Sequence, residues 1–355
     1  MNVSTSLEIV AAPLGKPLIS IYITNYIMVM LSFMILVFSL PATILNILNV
    51  YIFINTKLDS VTVCFISLAL SDLTSMLLIS ITASFSIIVA FSANWGRNLP
   101  TMSYVFSFLF LLLLDMSSAT TTYIAVQRGL CVAFPFLTRH AFNKNRSLII
   151  CVSISIVILA LTLPRFATFK LKTIPNPSDN KTTLIVFEYF DSWVTFDSFS
   201  MIFMKTVITL TEWGTMVICA VAISFGMRSS MKLKQKSNSY SSQNQSEADS
   251  KKSKEMKEES QKKESKESLV VKQSLVVVLL HVILTTPRVF ASLYKVFEPR
   301  FTLGGQYNNF FFVFCNCINF TDSINAFANF FVYLTFNSKF RSYFSTNIYK
   351  RLVKN

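Results

Sequence analysis

Long apolar stretches alternate with short polar connections along this chain. The stretches lie near residues 25–54, 61–91, 102–133, 147–167, 199–226, 269–296 and 309–336. A helix needs about 20 apolar residues, at about 1.5 Å each, to cross the hydrocarbon core of a bilayer. In lipid such helices satisfy their own backbone hydrogen bonds, and in water they have no reason to form. The pattern predicts an all-α membrane protein. Its expected parts are an extracellular N-terminus over 1–24, a seven-transmembrane bundle over 25–336, and a short amphipathic helix and tail over 337–355.

Composition sharpens this picture. Hydrophobic residues make up 52% of the chain and charged residues 14%, a contrast that excludes a water-soluble globular domain of this length. The two histidines stand apart and no Cys-x-x-Cys pair occurs, so a structural metal site is not expected. The cysteines Cys64, Cys131, Cys151, Cys219, Cys315 and Cys317 all fall inside apolar stretches, which leaves no disulfide framework for an outer loop.

The net charge of +14 concentrates in one block between the fifth and sixth stretches, with Lys232, Lys234, Lys251, Lys254 and Lys262 among its lysines. Lys57, Arg139, Lys144, Arg146, Lys339, Arg341 and Lys350 lie on the same side of the bundle by span count. Basic loops stay in the cytoplasm, so the expected topology is multi-pass in the plasma membrane with the N-terminus outside. The charge then meets anionic lipid rather than nucleic acid. No cleavable signal peptide is expected, because residues 1–20 are polar and mixed. Asn2 and Asn180 head glycosylation sequons on the outer side, and Asn244 heads one on the inner side. Residues 229–268, rich in Ser, Lys, Glu and Gln, read as a disordered cytoplasmic loop (228–268) open to phosphorylation, or as a solvated tether.

Polar residues inside the stretches point to mechanism, since each is costly in lipid unless paired or hydrated. Asp72 lies in the second span, Asn46 and Asn49 in the first, Ser117 in the third, and Asn325 and Asn329 one helical turn apart in the seventh. They read either as a hydrated pocket or as interhelical hydrogen bonds that only hold the bundle together.

Several of these residues sit in recognisable motifs. Leu68-Ala69-Leu70-Ser71-Asp72-Leu73, Asn46, Gln127-Arg128-Gly129 with Pro135 following, Pro164, Pro287 and Asn329-Phe330-Phe331-Val332-Tyr333 occur in order. Together they resemble the rhodopsin-like (class A) G protein-coupled receptors from about residue 20 to 350. Asn337 to Phe344 resembles the amphipathic helix that follows the last span of that family. Lys57 to Val63 and the Gln-Arg-Gly variant look most like molluscan-type chemosensory receptors.

The resemblance implies a receptor that passes binding of an extracellular ligand to a heterotrimeric G protein, with arrestin and a receptor kinase as further partners. It implies that Arg128 contacts the G protein, that Glu267 restrains Arg128 at rest, and that Asn329 and Tyr333 relay the change along the seventh helix. It also implies that Asp72, Ser117, Asn325 and Asn329 form an allosteric sodium site, a carboxylate with neutral oxygen donors suiting a hard cation. No other cofactor is implied. The departures matter too. Ser103 replaces the usual disulfide cysteine, Thr285 the usual helix-six tryptophan, and Gln127 the acid before Arg128. Loss of that acid predicts raised basal activity.

The ligand region is less constrained. Phe110 stands where amine receptors place an aspartate, so a salt bridge of that type is not available. Arg288 and Asp322 both need a cavity or each other. Arg288 engages an acidic group of a small water-borne ligand or peptide, or else forms an internal ion pair with Asp322. Lys205 and Glu212 share a face and either line the pocket floor or pair across the contact between spans three and five. Asp115 is expected to point away from the cavity, and His281 to be neutral and hydrogen-bonded. The Phe106/Phe108/Phe110 and Phe310–Phe312 stripes read as lipid-facing or core. A chemosensory receptor leads, with a neuropeptide receptor as the alternative. A transporter or channel, and an intramembrane enzyme, are less favoured, because no repeats, broken helices or catalytic constellation are present.

Overall fold

The computed structural model describes residues 19–91, 99–134, 138, 141–166, 169–176, 179–189, 203–243, 250–298, 300–301 and 305–349. The elements in chain order are α1 (Ile21–Ile54), α2 (Ser60–Phe91), α3 (Leu99–Ala133), α4 (Lys144–Phe166), β1 (Phe169–Asn176) and β2 (Asp179–Tyr189). A π-helical turn (Phe203–Ile208) then leads into α5 (Thr209–Gln243), and α6 (Ser250–Phe297), α7 (Asn308–Phe336), α8 (Ser338–Tyr343) and a second π turn (Phe344–Tyr349) follow. Six of the helices contain a window apolar and long enough to cross a membrane. The seventh, α7, has the length at 29 residues, but Asn308, Asn309, Asn316, Asn319, Asp322, Asn325 and Asn329 lower its hydropathy. It wedges between α1 and α6, which cover that polar face.

Burial in this bundle is inverted relative to a water-soluble protein. Ile44, Ile47, Ile149, Ile156, Ile218, Phe225, Ile283 and Phe290 are exposed on the outer surface, while Asn46, Asn49, Asp72, Ser117, Thr121, His281, Asp322 and Asn329 are buried. Lipid as the outer solvent accounts for both sets. The third helix is central and touches α2, α4, α5 and α6. One apolar cluster joins Phe53, Phe65, Ile124, Phe330, Tyr333 and Phe340 at the end carrying α8, and a second joins Ile35, Met76, Ile79, Phe110 and Ala326 towards the hairpin end.

Local chemistry sets several helix ends. The Ser20 hydroxyl accepts from the Ile23 amide at the start of α1. Asp59 caps α2, accepting from the Thr62 amide at 2.9 Å and the Thr62 hydroxyl at 2.8 Å. Its other oxygen accepts from Lys339 Nζ at 2.9 Å, tying the α1–α2 connection to α8. Burial pushes the Asp59 carboxyl up, but the bonds from Lys339 and Thr62 outweigh it and hold the group below the usual carboxylate range. The tie is therefore present at neutral pH and lost only in acid. Asn337 turns the corner into α8: its amide donates to the Tyr333 carbonyl, and its side-chain oxygen accepts from the Phe340 amide at 3.1 Å.

Two segments differ from the sequence expectation. The charged block is helical, α5 running on to Gln243 and α6 beginning at Ser250. Extending an existing helix needs no new nucleus, and Lys, Glu and Gln are good helix formers. The sequence also places Glu258 four residues before Lys262 and Glu259 four before Lys263, a spacing that favours a helix. The connection between α4 and α5 carries an antiparallel hairpin, with Phe169 opposite Tyr189 and Pro175 opposite Thr183. A backbone ladder thus orders a loop that has no disulfide to order it, all six cysteines being free.

The α3 and α5 backbones approach closely at Gly226, where an added Cβ would lie 2.0 Å from Val132 Cγ1. Valine is stiff at χ1 and cannot swing away freely. Gly226→Ala is therefore expected to lower the unfolding temperature of the purified protein, with an overpacking penalty of about 1–3 kcal/mol exceeding the helix-propensity gain of about 1 kcal/mol. Adding Val132→Ala restores stability. A Gly226→Ala protein that melts at or above wild type contradicts the close approach.

Candidate functional site

The polar interior has three parts, stacked from the hairpin end to the α8 end. The middle part is centred on Asp72, which is 2% exposed. Its Oδ1 accepts from the Ser117 hydroxyl at 2.6 Å and its Oδ2 accepts from Asn329 Nδ2 at 2.8 Å, so α2, α3 and α7 meet at one carboxylate. Asn46 Nδ2 donates to the Ala42 and Ala326 carbonyls, and Asn49 Nδ2 donates to Asn46 Oδ1 at 3.0 Å, bringing α1 into the same layer.

Asn325 departs from the expected set. Its amide nitrogen contacts His281 Nδ1 at 3.2 Å rather than Asp72. Asn325 and Asn329 share a face, but the turn between them sets Asn325 level with α6. Asn49 Oδ1, Asn325 Oδ1, Asn329 Oδ1 and the Tyr333 hydroxyl are buried without a hydrogen-bond partner. Buried groups of this kind call for a bound water or ion. The carboxylate with nearby amide and hydroxyl oxygens fits a hard monovalent cation. Among the described residues no cluster of His, Cys, Asp and Glu suits a transition metal.

The part nearer the hairpin is built from charges on four helices. Arg288 Nη2 donates to Asp322 Oδ2 at 2.5 Å, joining α6 to α7, with the two side chains 12% and 2% exposed. This is the internal ion pair that the sequence left open as an alternative. Lys205, on the π turn before α5, donates to Asp115 Oδ2 at 2.5 Å on α3. Lys205 thus pairs with Asp115 at the contact between α3 and the start of α5, where both side chains are partly buried. Asp115 lies five residues beyond Phe110, which turns it well away from the Phe110 face.

Phe110, a candidate ligand-binding residue whose stripe also read as core, lies in the core. It is 1% exposed and packed among Ile35, Met76, Ile79, Leu114 and Ala326, so it forms the α1–α2–α7 packing layer rather than a cavity wall. Glu212 lies in the first turn of α5 and is partly buried. Ser118 Oγ contacts His281 Nε2 at 3.2 Å. Because Asn325 Nδ2 donates to Nδ1, the proton of His281 sits on Nε2 and donates to Ser118, which makes the ring neutral. Beside this group Trp213 Nε1 donates to the Val282 carbonyl at 3.2 Å, in the turn before Pro287. Thr285 donates to the His281 carbonyl at 2.7 Å.

At the α8 end, Arg128 is partly buried, and its Nε and Nη2 are buried and bond to no described residue. Gln127 faces α2, donating to the Ser60 hydroxyl at 2.6 Å and accepting from the Cys64 thiol at 3.7 Å. Tyr333 is fully buried against Phe53, Phe65 and Phe340. Glu267 lies in α6 and Asn180 in β2, with side chains outside the described set, and Asn2 lies outside the described residues.

Residues 45–333 match the 7 transmembrane receptor (rhodopsin family) profile, most of the chain. The chain belongs to the rhodopsin family of seven-transmembrane receptors, which signal through heterotrimeric G proteins. It is accordingly a multi-pass membrane protein and a receptor rather than an enzyme. A comparison with curated proteins returned no significant match.

Removing one partner of a buried ion pair leaves the other charge unpaired, a loss of about 3–5 kcal/mol. Arg288→Ala and Asp322→Ala are each expected to lower thermal stability in detergent by that order. The double substitution should be more stable than either single one. Additive losses in the double variant contradict a direct pair.

Proposed function

We propose that this receptor is chemosensory, reading a small water-borne ligand at the charged core between α3, α5, α6 and α7. The observation that carries this reading is the pairing of Lys205 with Asp115 and of Arg288 with Asp322 near the hairpin end, with Glu212 on the adjoining turn of α5. A ligand bearing an acidic group would exchange for Asp322 at the Arg288 fork, and Lys205 would offer a second cation. A ligand acts only through contacts that differ between two states. Release of Arg288 from Asp322 is such a difference, because it frees α6 from α7.

The inner route follows from contacts already described. Asn329 holds Asp72 and lies one turn from Tyr333, so movement of α7 reaches both. Arg128 is the G protein contact in this reading. Its buried guanidinium lacks an acid partner from Gln127, which favours a resting state that is weakly restrained. Sodium would be held by Asp72 and Ser117 with the Asn325 and Asn329 side-chain oxygens, favouring the resting bundle. The receptor lies in the plasma membrane with its N-terminus outside, Asn2 and Asn180 carrying glycans. Arrestin and a receptor kinase act on the serine-rich block between α5 and α6.

The hairpin favours a second reading, a neuropeptide receptor. A two-stranded sheet has open edges, and an extended peptide can add to one as a further strand.

A G protein recruitment assay in cells tests the reading, using a panel of amino acids, nucleotides, small acids and peptides. Arg128→Ala at normal surface expression is expected to remove the signal, and wild type without ligand to signal above empty vector. Recruitment unaffected by Arg128→Ala contradicts the coupling role, and activation by peptides alone selects the second reading. Sodium is expected to raise the unfolding temperature of the purified wild type and to leave that of Asp72→Asn unchanged. Equal sodium sensitivity in both contradicts the sodium site.

A further inference from the structure

A groove of about 330 Å³ runs along the outside of the bundle between α5 and α6. Val217, Val221 and Phe225 line its α5 wall, and Leu279 and Val282 line its α6 wall. Both walls lie inside apolar spans, Lys205–Arg228 and Val271–Phe297. Val221, Phe225 and Leu279 are exposed on the outer surface, so the groove opens to lipid rather than to water. Ala220 is buried beneath it, and the Ser224 hydroxyl donates back to the Ala220 carbonyl at 2.7 Å, which leaves that wall with no free donor.

One lining residue breaks the apolar pattern. Arg228 closes the groove towards the α8 end, at the last position of its span. It is exposed, and no ion pair joins its guanidinium to another described residue. From Val217 to Arg228, α5 rises about 17 Å at about 1.5 Å per residue, close to one leaflet of a hydrocarbon core about 30 Å thick. The groove thus has the length of one acyl chain, with a cation where the headgroup of that chain lies. Inside a bilayer an apolar groove gains no hydrophobic energy by taking up a tail, because the surrounding tails are equally apolar. Dispersion along two walls positions the chain, and any preference among lipids comes from the charge at the end. A second copy of the receptor fits less well. Packed here side by side, it would bring its own Arg228 and the following lysines, Lys232, Lys234 and Lys236, to the same edge, where like charges repel.

We propose that this groove binds one anionic phospholipid, its acyl chain lying between α5 and α6 and its headgroup phosphate held by Arg228. A guanidinium presents a planar fork that matches two phosphate oxygens, and its stem lies along apolar surface while its charge stays at the interface. A zwitterionic lipid offers the same phosphate but carries its own ammonium, which competes with Arg228 for it. The preference is therefore for a lipid with net negative charge, of the kind that fills a cytoplasmic leaflet. The bound lipid touches both helices, and so continues towards the α8 end the tie that begins where Trp213 Nε1 donates to the Val282 carbonyl. The site stands on the fold alone and is independent of what the charged core near the hairpin end recognises.

Photo-crosslinking of the full-length receptor in lipid nanodiscs tests the site. The probes are phosphatidylserine and phosphatidylcholine with the same photoreactive group in the acyl chain, each diluted into phosphatidylcholine nanodiscs. Wild type is expected to carry adducts on residues 217–228 and 279–282, severalfold more from the serine lipid than from the choline lipid. Arg228→Gln should bring the serine lipid down to the choline yield at these residues and leave adducts elsewhere on the receptor unchanged. Val221→Trp, at an exposed position, fills the groove and should remove the adducts of both lipids there without lowering the unfolding temperature. Equal yields from the two lipids in wild type leave only the general lipid shell and overturn the site. A serine preference that survives Arg228→Gln overturns it as well. So does a groove that takes no label, as when a second receptor covers it. The expected adducts in a receptor that recruits no G protein uphold the site and count instead against the coupling reading.

Discussion

The structure depends on one carboxylate. Asp72 lies at the centre of a helix bundle surrounded by apolar surface, and its two oxygens are held by Ser117 and Asn329 from neighbouring helices. A charge at that depth is tolerated only with such partners. The constraint works in both directions, because the partners must stay where the carboxylate can reach them. Three helices are thereby locked to one point, and Asn46 with its bond to the Ala326 carbonyl adds a fourth. The same rule builds the layer above, where Arg288 meets Asp322 and Lys205 meets Asp115.

These layers turn a packing requirement into a transmission path. The contacts of Asp72, Arg288 and Lys205 each join different elements of the bundle, so a change at one is felt at the next. The packing at the α8 end is of another kind. Tyr333, Phe53, Phe65 and Phe340 form a tight aromatic group, and Arg128 is partly buried nearby with free nitrogens. Paired carboxylates above and an unpaired cation below give the bundle a half held by ionic contacts and a half ready to be rearranged by a partner.

Much of the fold was legible in the sequence because the bilayer imposes a length. Seven apolar stretches of helix length admit few architectures, and the helices of the structure coincide with them to within a few residues except at α5 and α6. Those two run further because the Lys, Glu, Gln and Ser composition reads alike for a solvated helix and for a coil. The hairpin was not legible because a two-stranded ladder in a loop carries only a short apolar run, here Leu184 to Phe187. Asp72, Ser117 and Asn329 were legible as a set, since polar residues at matching depth in lipid must find each other. Asp115 was not, because the rotation of α3 about its axis, which the sequence does not state, decides whether a residue faces Phe110's neighbours or α5. Asn325 was placed on the right face but one turn from its expected partner. The Ser118–His281 contact had a signal in the sequence, a histidine within an apolar span, but nothing there named its acceptor.

The bond between Asp72 and Asn329 carries the central claim, that helices two and seven move as a coupled pair. The most direct measurement is G protein recruitment by Asp72→Asn, Asn329→Asp and the reciprocal double variant, each at matched surface expression. The account predicts that both single variants lose recruitment and that the double variant, which restores one carboxylate facing one amide, regains a substantial part of it. A double variant no better than the worse single one would contradict the account.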